Sequence, residues 1–128
     1  MDSAEAARLG RRPESFSSAD RIRRRAEFLR LQRYGIRVQS DHFVLYAIRF
    51  AAGEPSRLGI TVSRQVGQAV VRNRIKRRVR ECFRRSIRST IPAGIGMVVI
   101  ARRGAGTLDF ATIRSELGTA AFRIGQNL

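Results

Sequence analysis

Arg72, Asn73, Arg74, Lys76, Arg77 and Arg80 lie in a seventeen-residue stretch, RNRIKRRVRECFRRSIR, in which nine residues are Arg or Lys and only Glu81 is acidic. Cations at this density bind phosphates by charge and by directed N–H donors; they do not by themselves break bonds. Val71, Ile75, Val79, Cys82, Phe83 and Ile87 recur among them at steps of three and four, the spacing of one helical face. Asn73, Arg77, Arg80, Arg84 and Arg88 fall on the opposite face. Arg74, Arg78 and Arg85 flank one side of the apolar stripe, and Lys76 flanks the other. Such a helix can be fixed to a core on one side and present cations on the other. An ordinary solvated amphipathic helix would show the same stripe, but here the charges are almost all of one sign. Like charges at i,i+4 oppose the helix, and a polyanion relieves that opposition. The stretch reads as a nucleic-acid face.

Other chemistries find few residues to carry them. His42 is the only histidine and Cys82 the only cysteine, so neither a zinc site nor a Ser-His-Asp arrangement can be drawn from spacing. Cys82, on the apolar face of the basic helix, reads as a small core residue rather than a nucleophile. Beyond residue 20 the carboxylates are Glu27, Asp41, Glu54, Glu81, Asp109 and Glu116, with no close pair of the kind that holds two metals in protein nucleases. Gly94-Ile-Gly96 lacks the further glycine and the strand-then-helix setting of a phosphate loop. The polypeptide alone does not read as a catalyst.

The bulk numbers agree with a binding role. A chain of 128 residues supports one domain, and a net charge of +16 points to a nucleic acid or an anionic membrane surface. The longest apolar run, Ile95 to Ala101, is too short to span a bilayer. Nothing near Met1 has the pattern of a signal peptide, so the expected residence is cytoplasmic. Residues 1–20 read as a disordered tail with three basic and four acidic residues; residues 21–128, the folded domain, hold 23 basic and 6 acidic ones.

Along that domain, Asp20 can cap a short helix, and Arg21, Arg23, Arg24 and Arg25 make a second basic cluster that enters, as an extended arm, a helix at about 26–33 stopped by Gly35. His42 to Phe50 is apolar on both faces, as a strand covered on two sides would be, with Val44, Tyr46 and Ile48 sharing one face and Phe43, Leu45 and Ala47 the other. A turn cluster from Ala52 to Ser56 separates it from the alternating strand Arg57–Ser63, so the two are expected to form a hairpin. Beyond Arg64 and Gly67 comes the basic helix, ended by Ser89, Thr90, Pro92 and Gly94. A short buried strand, Met97–Ala101, precedes a last helix that starts at Thr107 or Asp109 and turns Phe110, Ile113, Leu117, Ala121 and Ile124 inward. Residues 36–64 read as two or three strands, and with three the order α-β-β-β-α-β-α is that of an α+β sandwich.

The run Val66-Gly-Gln-Ala69-Val-Val-Arg72-Asn73-Arg74-Ile75-Lys76-Arg77-Arg78-Val79-Arg80 resembles the signature of the bacterial ribonuclease P protein subunit. The resemblance extends to Arg21-x-Arg23-x-x-x-x-Phe28, Phe43-Val-Leu-Tyr46, Leu58-Gly59-x-Thr61-Val62-Ser63 and Val99-Ile100-Ala101-Arg102, in the family's order, and covers about Arg21 to Ile124. It implies a strand-helix-strand unit with a left-handed crossover. It implies as partners a catalytic RNA and precursor tRNA, whose 5′ leader that RNA removes with Mg²⁺ held mainly by the RNA. Carried over, Arg72, Asn73, Arg74, Lys76, Arg77 and Arg80 would face the catalytic RNA or the substrate near the cleavage site. Phe28, Val44 and Tyr46 would line a leader cleft, with Arg21, Arg23 and Arg64 as phosphate contacts. Gln32 stands where relatives often carry a further aromatic.

Read without the resemblance, Phe28 and Tyr46 fit equally a packed core between helix and sheet. A structural ribosomal-RNA-binding protein would have the same composition. A DNA-binding module would lay the basic helix in a groove, but no helix-turn-helix companion or dimer seam accompanies it. The expected partners are therefore RNA, with no DNA and no membrane.

Overall fold

The computed structural model describes residues 25–50 and 55–128. The tail, Asp20, Arg21, Arg23, Arg24 and most of the turn cluster at 52–56 lie outside the described residues. Helix α1 (Arg25–Tyr34) ends where expected, with the Gly35 N–H donating to the Leu31 carbonyl over 2.9 Å. Strands β1 (Ile36–Gln39), β2 (Phe43–Arg49), β3 (Arg57–Thr61) and β4 (Ile95–Ala101) form one sheet in the order β1-β2-β4-β3.

The expected hairpin between His42–Phe50 and Arg57–Ser63 does not form. Strand β2 instead makes its hairpin with β1 across Ser40–His42 and pairs antiparallel with β4, while β3 pairs parallel with β4 from the other side. The reason lies in β4. Its residues are buried on both faces, apart from a half-buried Ile100, and a strand apolar all round belongs in the middle of a sheet. The long helical connection between β3 and β4 permits parallel neighbours, which a tight turn cannot.

That connection is the basic helix α2, which starts at Ala69, four turns of α-helix to Cys82, and runs on through a π turn (Phe83–Ile87) to Arg88–Thr90. A stripe repeating every fourth residue drifts about 40° per step around an α-helix. The wider π turn takes in an extra residue and counters that drift, so that Ile87 is buried on the same core as Ile75, Val79 and Phe83. It also changes the cation faces: Arg85, expected beside the stripe, is exposed, and Arg84 and Arg88, expected opposite it, are half-buried.

Helix α3 (Phe110–Asn127) starts at Asp109, whose carboxylate accepts from the Thr112 N–H over 2.8 Å. Helices α2 and α3 cover one face of the sheet, where Phe43, Leu45, Ala47, Met97 and Val99 meet Ile75, Val79, Phe83, Ile113 and Leu117. Each of these side chains other than Ala47 contributes about 1.5–3 kcal/mol by leaving water. Cys82 is buried among them, as expected of a core residue, and burial pushes its thiol up to about 11. Among the described residues, helix α1 is the one helix on the other face, and it forms a smaller apolar cluster around Leu31 and Val98.

Candidate nucleic-acid interface

Because α1 is short, it covers only one end of its face of the sheet. That end is the β2 exit, where Ile48, Gly96 and Arg57 sit beneath Glu27, Arg30 and Leu31. The Arg57 guanidinium donates to Glu27 over 3.3 Å and lies 5.1 Å from the Phe50 ring centroid, which ties the helix to the edge strand. Strand register names what the described residues leave open. Successive residues alternate between faces, so Arg37 and Gln39 of β1, Val44 and Tyr46 of β2, Ile100 of β4, and Gly59 and Thr61 of β3 lie on the face with Val98.

The three cleft residues expected from the sequence come together here. Phe28 and Tyr46 pack against the Leu31–Val98 cluster, and Val44 lies two residues from Tyr46 on the same face. All three are half-buried, so the core reading and the platform reading each describe part of them. Their inner edges anchor α1 and their outer edges line an open apolar strip. Gln32, one turn beyond Phe28, is exposed. Arg37, which sequence reasoning passed over, donates through Nε to the Tyr46 hydroxyl over 3.3 Å and through Nη2 to Gln39 Oε1 over 2.8 Å. Only the β1–β2 register puts Arg37 beside Tyr46, and nothing local in the sequence marks it.

The far end of the strip is basic. Arg102 extends the ladder past β4, its N–H donating to the His42 carbonyl over 2.8 Å and its guanidinium to the Ser40 carbonyl over 3.2 Å. Arg64 is exposed in the turn after β3. At this same end the basic helix begins, since Arg74 reaches Gly106, in the segment following β4. Its first turn has neither a side-chain cap nor an acidic residue, which leaves the positive end of the helix dipole uncompensated.

The six residues expected on the RNA side of this helix do not stand alike. Asn73 and Arg77 are exposed; Arg72, Arg74, Lys76 and Arg80 are half-buried. Arg72 and Arg74 have their Nε atoms buried, and Arg74 Nη2 donates to the Gly106 carbonyl over 2.9 Å. Glu81 accepts from Arg84 over 2.5 Å and pairs with Arg85; the Arg84 hydrogen bond, ahead of the other influences, holds its carboxyl below the usual range. The exposed Val70 adds an apolar contact beside this cationic surface. Arg21 and Arg23 lie outside the described residues.

At the same end, α3 grips the β1–β2 turn. Glu116 accepts from Ser40 Oγ over 2.5 Å and the His42 N–H over 2.6 Å, and its other oxygen lies 3.0 Å from His42 Nδ1. The geometry orients a turn and offers no nucleophile, because Ser40 is bonded to the carboxylate and not to the imidazole. Among the described residues no three of His, Cys, Asp and Glu gather as metal ligands, and no helix is long and apolar enough to cross a membrane.

Comparison with known proteins finds relatives in sequence and in fold. The sequence model of the ribonuclease P family matches residues 16–125. The ribonuclease P protein component of Geobacter sp. (strain M21) is 41% identical over 110 residues, covering 86% of this chain and 92% of that protein. The solved RNase P protein of Staphylococcus aureus superposes with a TM-score of 0.73 at 33% identity, covering 83% of this chain and 95% of that one. The RNase P protein of Thermotoga maritima gives 0.68 at 36% identity, covering 84% and 96%.

Proposed function

The chain belongs to the ribonuclease P protein family, and from that premise we propose that it works as a cationic clamp beside a catalytic RNA. It is a subunit of a ribonuclease holoenzyme whose partner is the ribonuclease P RNA. In our reading the RNA carries the chemistry, and the protein binds that RNA and the 5′ leader of precursor tRNA so that the leader is removed at one bond. One observation carries the reading: a half-buried apolar strip, Phe28, Val44, Tyr46 and Ile100, runs across the open sheet face to the end where Arg64, Arg102 and the basic helix stand.

The roles divide by chemistry. Single-stranded RNA is held by stacking bases on aromatic rings next to a positive groove, and Phe28 and Tyr46 supply the rings. Arg64, with Arg21 and Arg23 ahead of α1, would neutralise leader phosphates. Arg72, Asn73, Lys76, Arg77 and Arg80 would meet the catalytic RNA or the substrate close to the cleavage site. Mg²⁺, when bound, would activate water and stabilise the leaving oxygen. The described residues offer no carboxylate cluster suited to such a hard cation, so RNA phosphates would hold it. A soluble, cytoplasmic protein is the setting this work requires.

The test uses the full chain with and without its RNA. Precursor tRNA cleavage at low Mg²⁺ should need both, and shortening the leader should weaken substrate binding only when the protein is present. Cleavage by the RNA-free protein that one carboxylate substitution abolishes would refute the division of labour.

A further inference from the structure

Two arginines of the basic helix turn back into the protein. Arg74 Nη2 donates to the Gly106 carbonyl over 2.9 Å, and Arg78 Nη1, one turn on, donates to the Leu108 carbonyl over 2.7 Å. Both carbonyls belong to the segment after β4 that holds the 3-10 turn Ala105–Thr107. The backbone approaches as closely. A Cβ on Gly106 would come within 2.7 Å of Val71 Cγ1, and one on Gly67 within 2.8 Å of the same atom. Val71, in the first turn of the helix, is therefore gripped between two glycines, and only glycine permits that spacing.

We propose that Arg74 and Arg78 are positioning residues which, with Gly106, set the rotation of the helix about its own axis. Arg74 acts through the protein and not on a phosphate. A guanidinium only donates and a carbonyl only accepts, and the planar fork transmits direction where an ammonium would transmit only charge. The apolar stripe, buried in the core, sets the rotation coarsely, to within the give of its packing. The two struts and the Val71 grip fix it, and so fix where Asn73, Lys76 and Arg77 point. Neighbouring residues stand about 100° apart around the helix, so a rotation of a fraction of that, small enough to keep the stripe buried, already turns Arg77 out of its direction. This inference rests on the reading of the helix as the RNA face.

The experiment measures affinity of the full-length chain for the catalytic RNA against salt concentration, with thermal melting as a control for folding. The variants are Arg77→Ala, Gly106→Ala, Gly106→Ala with Val71→Ala, Arg74→Ala, and Arg74→Ala with Gly106→Ala. One phosphate contact contributes about five- to tenfold at 0.1 M salt. Gly106→Ala removes no charge, yet it should lower affinity by at least that factor and reduce the salt slope by about one contact or more. Val71→Ala, by removing the atom the new Cβ would strike, should restore affinity to within about twofold and also serves if Gly106→Ala alone folds poorly. Arg74→Ala and Gly106→Ala together should be no weaker than the weaker single variant, since both release one constraint. The proposal is overturned if Gly106→Ala binds as the parent does, or if its effect and that of Arg74→Ala multiply. Arg77→Ala separates the two levels: if it leaves affinity and slope unchanged, the RNA-face reading falls; if it weakens both while Gly106→Ala does not, the positioning role alone falls.

Discussion

Arg37 and Tyr46 stand opposite one another in the β1–β2 ladder, and the Arg37 guanidinium donates to the Tyr46 hydroxyl over 3.3 Å on the open face of the sheet. The bond holds the tip of the ring at the rim of the strip. Tyr46→Ala should weaken binding of precursor tRNA with a long leader by about 1–3 kcal/mol, the worth of one stacked base, and leave assembly with the catalytic RNA nearly unchanged. Tyr46→Phe should keep most of the affinity. Equilibrium binding of long- and short-leader substrates checks this, and a Tyr46→Ala chain that merely unfolds would return Tyr46 to the core.

Gly35 joins α1 to β1 with no room for a side chain. A Cβ there would meet the Leu31 carbonyl oxygen at 2.4 Å and the Ala47 carbonyl oxygen at 2.9 Å, backbone atoms that cannot rotate aside. Gly35→Ala should cost about 1–3 kcal/mol, as overpacking does, and should weaken leader binding because α1 forms one wall of the strip. Urea unfolding and substrate binding on one preparation measure both.

The Glu116 carboxyl is pushed up by burial, the largest single influence on it. The hydrogen bonds from Ser40 and from the His42 backbone and ring together outweigh that push and hold it below its ordinary value of 4.5. A carboxyl lowered in the folded state stabilises that state fully above the ordinary value, and the contribution is lost as pH falls through the folded value. Glu116→Gln should therefore cost about 1–3 kcal/mol at pH 7. The gap to the parent should close as unfolding is measured below pH 4.5 and downward. A gap that persists at low pH would contradict the assignment.

Binding to the catalytic RNA should be governed by counterion release. If roughly 6–10 phosphates are engaged, affinity should fall by about three to five orders of magnitude between 50 and 200 mM salt. Arg85, paired with Glu81, should contribute less to that slope than the exposed Arg77. Filter binding across a salt series for Arg77→Ala and Arg85→Ala ranks the two.

Cys82 should resist thiol reagents in the folded protein. Its thiol is buried and pushed up to about 11, so at pH 8 about one molecule in a thousand carries the reactive thiolate. Alkylation should be slow in buffer and fast in denaturant, and a chain alkylated in denaturant should refold poorly because the core has no space for the adduct.

Much of this was readable from residue order. Ile75, Val79, Phe83 and Ile87 declared the buried side of the basic helix, and Asp109 and Gly35 marked helix ends. What residue order did not show was who sits beside whom. The alternation of Leu58, Ile60 and Val62 assigns faces of a strand and says nothing of its neighbour, so β3 was expected against β2 and pairs with β4. The difference among cations was hidden for the same reason. Arg74 and Arg77 are the same residue type three positions apart, but Arg74 meets a carbonyl thirty-two residues further along. The π turn that redirects Arg84, Arg85 and Arg88 leaves no mark in the spacing, because a stripe at steps of four is also what a plain helix displays.

The parallel pairing of β3 with β4 sets an order during translation. The arginine-rich segment leaves the ribosome before β4, the strand that completes its platform and precedes the loop that holds Arg74. Until β4 has been made, those mutually repelling cations lack the strand that completes their platform, and a passing polyanion meets them before the surface is shaped. Maturation of the recognition surface is thus deferred until β4 and the loop after it have been made, when the strip and the helix become available together.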